Sequence, residues 1–446
     1  MKPGNRIAIV VPLALSLAAS PLVVPSQAAG ALGVADWTTF HFDNARTGVN
    51  PFEGTIGPSN VQALSLKWVG MNMGGLVVQS SPVVSNGVVY VADSWLGKLW
   101  AFDTECGTHG AFCNPLWSGR TAGTHGTFSG PAVAGGVVFV ASADHFLYAF
   151  DAAGCGGAGE CDPIWVGQMS AGSIGSSAAV SDGKVYVGTF DDHLFVFDAA
   201  GCGQPTCAPL WVGAAPAVLP VTSHGFGSPA IANGVVYVNA NSGRLYAYPA
   251  QGCGRQTCGP LWIGQTDSLV GTSGPAVANG IVYMGVDQGL VAFNATGCGQ
   301  RTCRPLWTGK HGFDQFAFGT PAVWNGRVYL GIGTSLEVFA ASGCGAPTCG
   351  PLFIIDASGT QGEIDSSPAV ANGIVYVGEN SMKVFAGNAN GCGQLFCSAL
   401  WTGQTDSSVV NSSPAVVDGV LYIGSGNRFF PDDQSGRLYA FSLNGN

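Results

Sequence analysis

The sequence predicts an all-β protein: an eight-bladed β-propeller of four-stranded antiparallel blades, its last blade completed by an N-terminal strand. Three observations predict it. Gly and Pro are abundant and evenly spread, at 68 and 25 of 446 residues, which disfavours long helices. A segment close to Ser-Pro-Ala-Val, then Val-Tyr-Val-Gly, Leu-Tyr-Ala-Phe and Gly-Cys-Gly…Cys…Pro-Leu-Trp recurs eight times, about 47 residues apart. The eighth copy stops after its third strand, while an unmatched strand carrying Trp68 lies upstream of the first copy.

The first 28 residues read as a secretory signal. Lys2 and Arg6 form its positive end, and residues 7–19 an apolar core too short to span a bilayer. Ser26-Gln27-Ala28 offers small residues for cleavage, with Gly30-Ala31 as a second site. Residues 29–64 form a lead-in, and residues 65–446 the propeller. No cysteine follows the apolar core and no hydrophobic tail closes the sequence, so the expectation is a secreted or otherwise extracytoplasmic monomer without a membrane span.

Copies begin near residues 81, 129, 176, 228, 273, 319, 366 and 412. Strand A of each is the Pro-Ala-Val run and strand B the Val-Tyr-Val run. Between them stand Asn86-Gly87, Gly135-Gly136, Asp182-Gly183, Asn233-Gly234, Asn279-Gly280, Asn325-Gly326, Asn372-Gly373 and Asp418-Gly419. These residues tolerate the positive φ that type I′ turns demand. Strand C alternates as a half-buried strand should. Strand D is read as ending in an aromatic residue: Trp68, Trp117, Trp165, Trp211, Trp262, Trp307, Phe353 and Trp401. Four-stranded units repeated in this way close into a propeller, with residues 65–69 supplying the missing strand D of blade eight.

The 14 cysteines fall into seven close pairs, one for each blade whose strands C and D are joined by a continuous hairpin. The pairs are Cys106 with Cys113, Cys155 with Cys161, Cys202 with Cys207, Cys253 with Cys258, Cys298 with Cys303, Cys344 with Cys349 and Cys392 with Cys397. In an exported chain these read as seven intra-blade disulfides. Cys-x4-Cys without partnering His is a poor zinc pattern.

Charged residues make up 9% of the chain and hydrophobic ones 47%, yet every apolar run after residue 30 is broken short of the roughly 18 residues a spanning helix needs. The net charge is −10 with no basic cluster, which argues against nucleic acid as a partner. Gly-x-Ser-x-Gly, His-Glu-x-x-His and Cys-x-x-Cys-His are absent. Gly154 to Gly159 matches Gly-x-Gly-x-x-Gly, but it lies in a disulfide loop with no following helix.

Strand order places the A–B turns and the disulfide loops on one face, and the D–A and B–C loops on the other. The second face varies between copies, so it is the place for binding or chemistry. Its D–A loops hold His125, His224, His311, Asp267, Asp314, Asp365 and Asp406 as candidate ligand-binding residues. Phe128, Phe226 and Phe318 stand just before their strands A, near the expected channel mouth. The long B–C loop of blade eight carries Asn427, Asp432 and Asp433; Asn427 and Asp432 are the candidate metal ligands.

These repeats resemble the PQQ-like (pyrroloquinoline-quinone-type) propeller repeat, whose pattern places Ala-x-Asp-x-x-Thr-Gly before a docking Trp. Ala101-Phe102-Asp103, Ala149-Phe150-Asp151 and Val196-Phe197-Asp198 match its first half, with Gly-Cys-Gly loops in place of Thr-Gly. Asp36-Trp37…Phe40…Asp43…Arg46-Thr47-Gly48, followed by Ile56…Asn60-Val61…Leu64…Trp68, resembles the lead-in of such proteins, the polyvinyl-alcohol-dehydrogenase-like group among them. For the quinoprotein alcohol dehydrogenases, the resemblance implies PQQ and Ca²⁺ as cofactors, with Ser425-Gly426-Asn427 similar to the segment that supplies an Asn ligand. The adjacent cysteine pair and the cationic cluster of those enzymes are missing. The leading expectation is therefore a non-catalytic propeller, without a cofactor, that binds a protein, glycan or small molecule on its variable loop face. The alternative is a PQQ- and Ca²⁺-dependent alcohol dehydrogenase; another hydrolase or lyase on the same rim is a third reading.

Overall fold

The computed structural model describes Met1 and residues 36–446, except 72–77, 95, 122–125, 127–128, 158, 174, 217–224, 267, 269–273, 288, 311–316, 357–361 and 427–435. The described chain forms eight sheets, one per repeat. In blade 1 strands A to D are Val83–Ser85, Val88–Ala92, Lys98–Asp103 and Trp117–Arg120. Strand A of each blade neighbours strand A of the next, round to blade 8 and back to blade 1, which closes the ring. In blade 8, strand C (Leu438–Leu443) pairs antiparallel with Leu64–Gly70, slightly longer than the expected 65–69 and with a register shift between Leu66 and Trp68.

The local chemistry follows the repeat. Both residues of all eight A–B turns have positive φ, from Asn86 (50°) and Gly87 (75°) to Asp418 (49°) and Gly419 (78°). Tyr on strand B reaches across to the next blade: the hydroxyls of Tyr90, Tyr186, Tyr237, Tyr283 and Tyr329 donate to the carbonyls of Ala152, Ala250, Ala295, Ala341 and Ala389. In blades 1 to 7 the strand-D aromatic opens its strand rather than ending it, as in Trp165–Gln168, and it packs between blades. Trp117 lies against Tyr90 of its own blade and Phe150 of the next, with ring centroids 6.0 and 6.5 Å away.

All seven expected disulfides are formed. Their loops also do something the sequence did not announce. The segment ending in the second cysteine crosses to the preceding blade and pairs in parallel with its strand D, as Glu160–Cys161 does with Ser118-Gly119 of blade 1. Seven sheets thereby gain a fifth, outer strand, and the buried second cysteine helps seal the seam between blades.

Candidate functional site

The lead-in is the centre of the molecule. Residues 37–50 circle the axis and bond in turn to strand A of every blade. Trp37 and Val84 exchange two backbone bonds (2.8 and 2.9 Å), and Thr38 O accepts from Val133 N–H at 2.7 Å. Asn44 Nδ2 donates to Val180 O, and the carbonyls of Asn44, Ala45, Thr47 and Gly48 accept from the N–H groups of Ile231, Val277, Val323 and Val370. Val49-Asn50 then pairs in parallel with Val370-Ala371, and Asn50 Nδ2 donates to Val416 O. These contacts reach the fourth residue of each Ser-Pro-Ala-Val run, so the plug fills the end of the axis nearest the A–B turns.

Arg46 holds the plug. It is fully buried, with Nε donating to Pro229 O, one terminal nitrogen to Thr39 Oγ1 and Phe40 O, and the other to Ser177 O and Ala178 O. Burial lowers its pKa to about 9, against the opposing pull of Asp43. Asp43 takes Thr47 N–H and Oγ1–H at 2.9 and 2.6 Å, which fixes the turn. Gly48 sits at φ 70°, where a Cβ would stand 2.6 Å from the His41 ring. His41 Nδ1 and Nε2 lie 2.7 and 2.8 Å from the carbonyls of Arg46 and Pro368. Two facing carbonyls favour the charged ring, but burial is the larger effect and, with Arg46 adding to it, lowers the His41 pKa to about 4.

One layer further along the axis, towards the D–A loops, runs a ring of hydroxyl contacts between blades. The backbone N–H groups of Gly130, Ser177, Gly274, Thr320, Ser367 and Ser413 donate to the side-chain oxygens of Ser177, Ser228, Thr320, Ser367, Ser413 and Ser81. Gly130 and Gly274 stand at the two junctions where the repeat supplies no hydroxyl. Beyond this ring is the loop face, where Asp93, Glu379 and Gln79 are buried.

Of the residues singled out in the sequence, four are described. Phe226 is buried, its ring against Tyr246 and Tyr248, so it serves blade packing. Phe318 is 38% exposed. Asp406 is exposed and stands 3.8 Å from Arg437, while its N–H donates to Tyr439 Oη. Asp365 is half-buried, and burial with the added charge of Glu363 pushes its pKa up to about 6, opposed by a hydrogen bond from Asn380. His125, His224, His311, Asp267, Asp314, Phe128, Asn427, Asp432 and Asp433 lie outside the described residues.

Ca²⁺ takes six to eight oxygen ligands. Among the described residues no three His, Cys, Asp or Glu side chains are grouped to hold an ion, and Asn427 and Asp432 of the alternative reading lie outside them. The sequence reading passed over Asp93 and Glu379. The signal lay in the repeat: both stand at the end of strand B, where the other copies have Ser142, Thr189, Ala240, Val286, Ile332 and Ser425.

Residues 162–343 match a family model described as outer membrane protein assembly factor BamB. The chain is a PQQ-like repeat β-propeller, similar over residues 162–343 to BamB and in fold to a quinohemoprotein alcohol dehydrogenase. It is 32% identical over 148 residues to the 1-butanol dehydrogenase (cytochrome c) of Thauera butanivorans; the match takes in 31% of this chain and 20%, a fifth, of that relative's length. BamB from Moraxella catarrhalis superposes with a TM-score of 0.58 at 16% identity, over 86% of this chain and 98% of that one. The quinohemoprotein alcohol dehydrogenase from Comamonas testosteroni does so with 0.66 at 16%, over 92% and 81%. At these identities the two superpositions carry the fold.

Proposed function

We propose that the protein is a secreted, non-catalytic binding propeller that takes its ligand on the D–A and B–C loop face. The observation that carries this reading is the plug. Residues 37–50 bond to all eight strands A at the turn end, so a ligand on the axis has to enter from the loop end. Seven disulfides suit a chain that matures in an oxidising compartment and stiffen the turn face. The variable loops are left to recognition. The family model's name, an assembly factor, points the same way.

The match to a protein named 1-butanol dehydrogenase (cytochrome c) favours a second reading, a PQQ- and Ca²⁺-dependent alcohol dehydrogenase. In it, Asn427 and Asp432 would hold the metal, and PQQ would supply the two-electron chemistry. One experiment separates the readings: titration with PQQ and Ca²⁺ followed by absorbance, with a dye-linked alcohol assay. The binding reading expects no spectral change and no turnover. Turnover that disappears in Asn427→Ala would replace it with the second reading.

A further inference from the structure

The outermost strands set one blade apart from the other seven. In blades 1 to 6 the second residue of strand D turns its N–H outward to the next blade's disulfide loop. Ser118, Val166, Val212, Ile263, Thr308 and Ile354 donate to the carbonyls of Gly159, Pro205, Gln256, Arg301, Pro347 and Leu395 at 2.7–3.0 Å. Strand D of blade 8 is covered likewise, by Ala111–Cys113. Blade 7 differs, because strand D of blade 8 comes from the N-terminal side and no C–D hairpin exists there to cross back. Among the described residues its strand D, Trp401–Gln404, is the last strand of its sheet. Thr402 occupies the same register as Ser118, opposite Phe385 where Ser118 is opposite Trp100, and it is exposed.

Two further groups register the missing hairpin. The Tyr376 hydroxyl, whose counterparts in five blades donate to the next blade's loop, is buried with no partner among the described residues. Trp401 is less buried than the other seven strand-D aromatics, and its Nε1 donates instead to Leu64 O at 2.9 Å. The edge itself, Trp-Thr-Gly-Gln, carries no charge, proline or bulge, the devices that usually protect an open edge.

We propose that Trp401–Gln404 is a β-augmentation site that takes an extended segment of a partner polypeptide in parallel register. The seven internal occupants define that segment: two or three extended residues, with Thr most often first and a small side chain second, facing the seam. All seven pair in parallel. A second copy of the chain across a two-fold axis would have to pair antiparallel, so the templates favour a different polypeptide.

The test is amide hydrogen exchange on the full 446-residue protein. The probe is a synthetic peptide copying residues 203–209 with serine in place of Cys207. In the free protein Thr402 should exchange much faster than Ser118, Val166 and Val212. Peptide at about four times its Kd should slow Thr402 about fivefold and leave the other strand-D amides unchanged. Thr402→Pro removes the outward donor, and appending a copy of residues 391–398 after Asn446 supplies the missing hairpin; each should abolish the response. Three results overturn the proposal. Thr402 already protected in the free monomer means that the chain's own residues cover the edge. Protection that tracks dimer formation in sedimentation assigns the edge to a second copy. Fast exchange that no peptide concentration slows means that the edge binds nothing.

Discussion

The two ends of the propeller axis are built on different principles. The turn end is closed by a segment outside the repeat, in which one buried cation and a run of carbonyls bind every blade. The loop end is left to segments that differ from blade to blade and to carboxyl groups that are buried there, such as Asp93 and Glu379. The difference teaches where the contacts common to all eight blades are concentrated. A ring of eight similar blades has no inherent stopping point, and a plug that touches all eight fixes both their number and their register. Buried carboxyl groups, which cost a fold stability, stand at the opposite end.

The sharpest way to break this comparison is Arg46→Met. It leaves the carbonyls of Pro229, Ser177, Ala178 and Phe40 buried without their donor. Removing one partner of a buried charged network costs about 3–5 kcal/mol. Denaturant unfolding should show that loss; a change under about 1 kcal/mol would mean that the backbone bonds alone hold the plug.

The pH dependence of the turn end comes next. His41 has a folded pKa of about 4, below its ordinary 6.5, so the folded state holds the neutral ring. Its contribution is fully present above pH 6.5 and is lost as the pH falls towards 4, because the unfolded chain takes up the proton first. The full window is worth about 3 kcal/mol. His41→Gln should flatten the stability profile between pH 6.5 and 4, and an unchanged slope would assign the acid sensitivity elsewhere.

A smaller effect is expected from one disulfide loop. Cys253→Ser with Cys258→Ser opens a five-residue separation, worth about 2 kcal/mol by chain entropy. The Thr257–Cys258 pairing with strand D of blade 3 should loosen with it, which exchange at Val212 would report. Loss of stability with Val212 still protected would separate the covalent effect from the fifth strand.

The blades, the turns and the cysteine pairs were legible because each is written seven or eight times, so one ambiguous copy is corrected by the others. The plug was not legible. Asp43, Arg46, Thr47 and Gly48 were visible as a motif, but a single copy gives no period from which to read geometry, and a charged side chain gives no sign that it will be fully buried. The fifth strands were hidden for another reason: Thr-Cys is too short to show alternation, and parallel pairing with a neighbouring blade leaves no turn signal. At the loop face, Phe226 looked like a mouth residue because it precedes strand A, whereas its buried ring packs against Tyr246 and Tyr248.

The smallest effect belongs to the loop end and has the opposite sign. Asp365 has a folded pKa raised to about 6 from 3.8, by burial and then by Glu363. Its contribution is fully present below 3.8 and is lost as the pH rises through 6, since the unfolded carboxyl ionises first. At neutral pH the charged group therefore weakens the fold that carries it. Asp365→Asn removes the charge and should be at least as stable as the parent at pH 7.5, by less than about 1 kcal/mol because the group is half exposed, with the difference vanishing near pH 4. Melting temperatures of the two proteins at both pH values decide it. A variant less stable at both would make Asp365 a structural partner of Asn380. The expected result would show a carboxylate that costs stability at the loop end of the axis, the end where the proposed binding reading places the ligand.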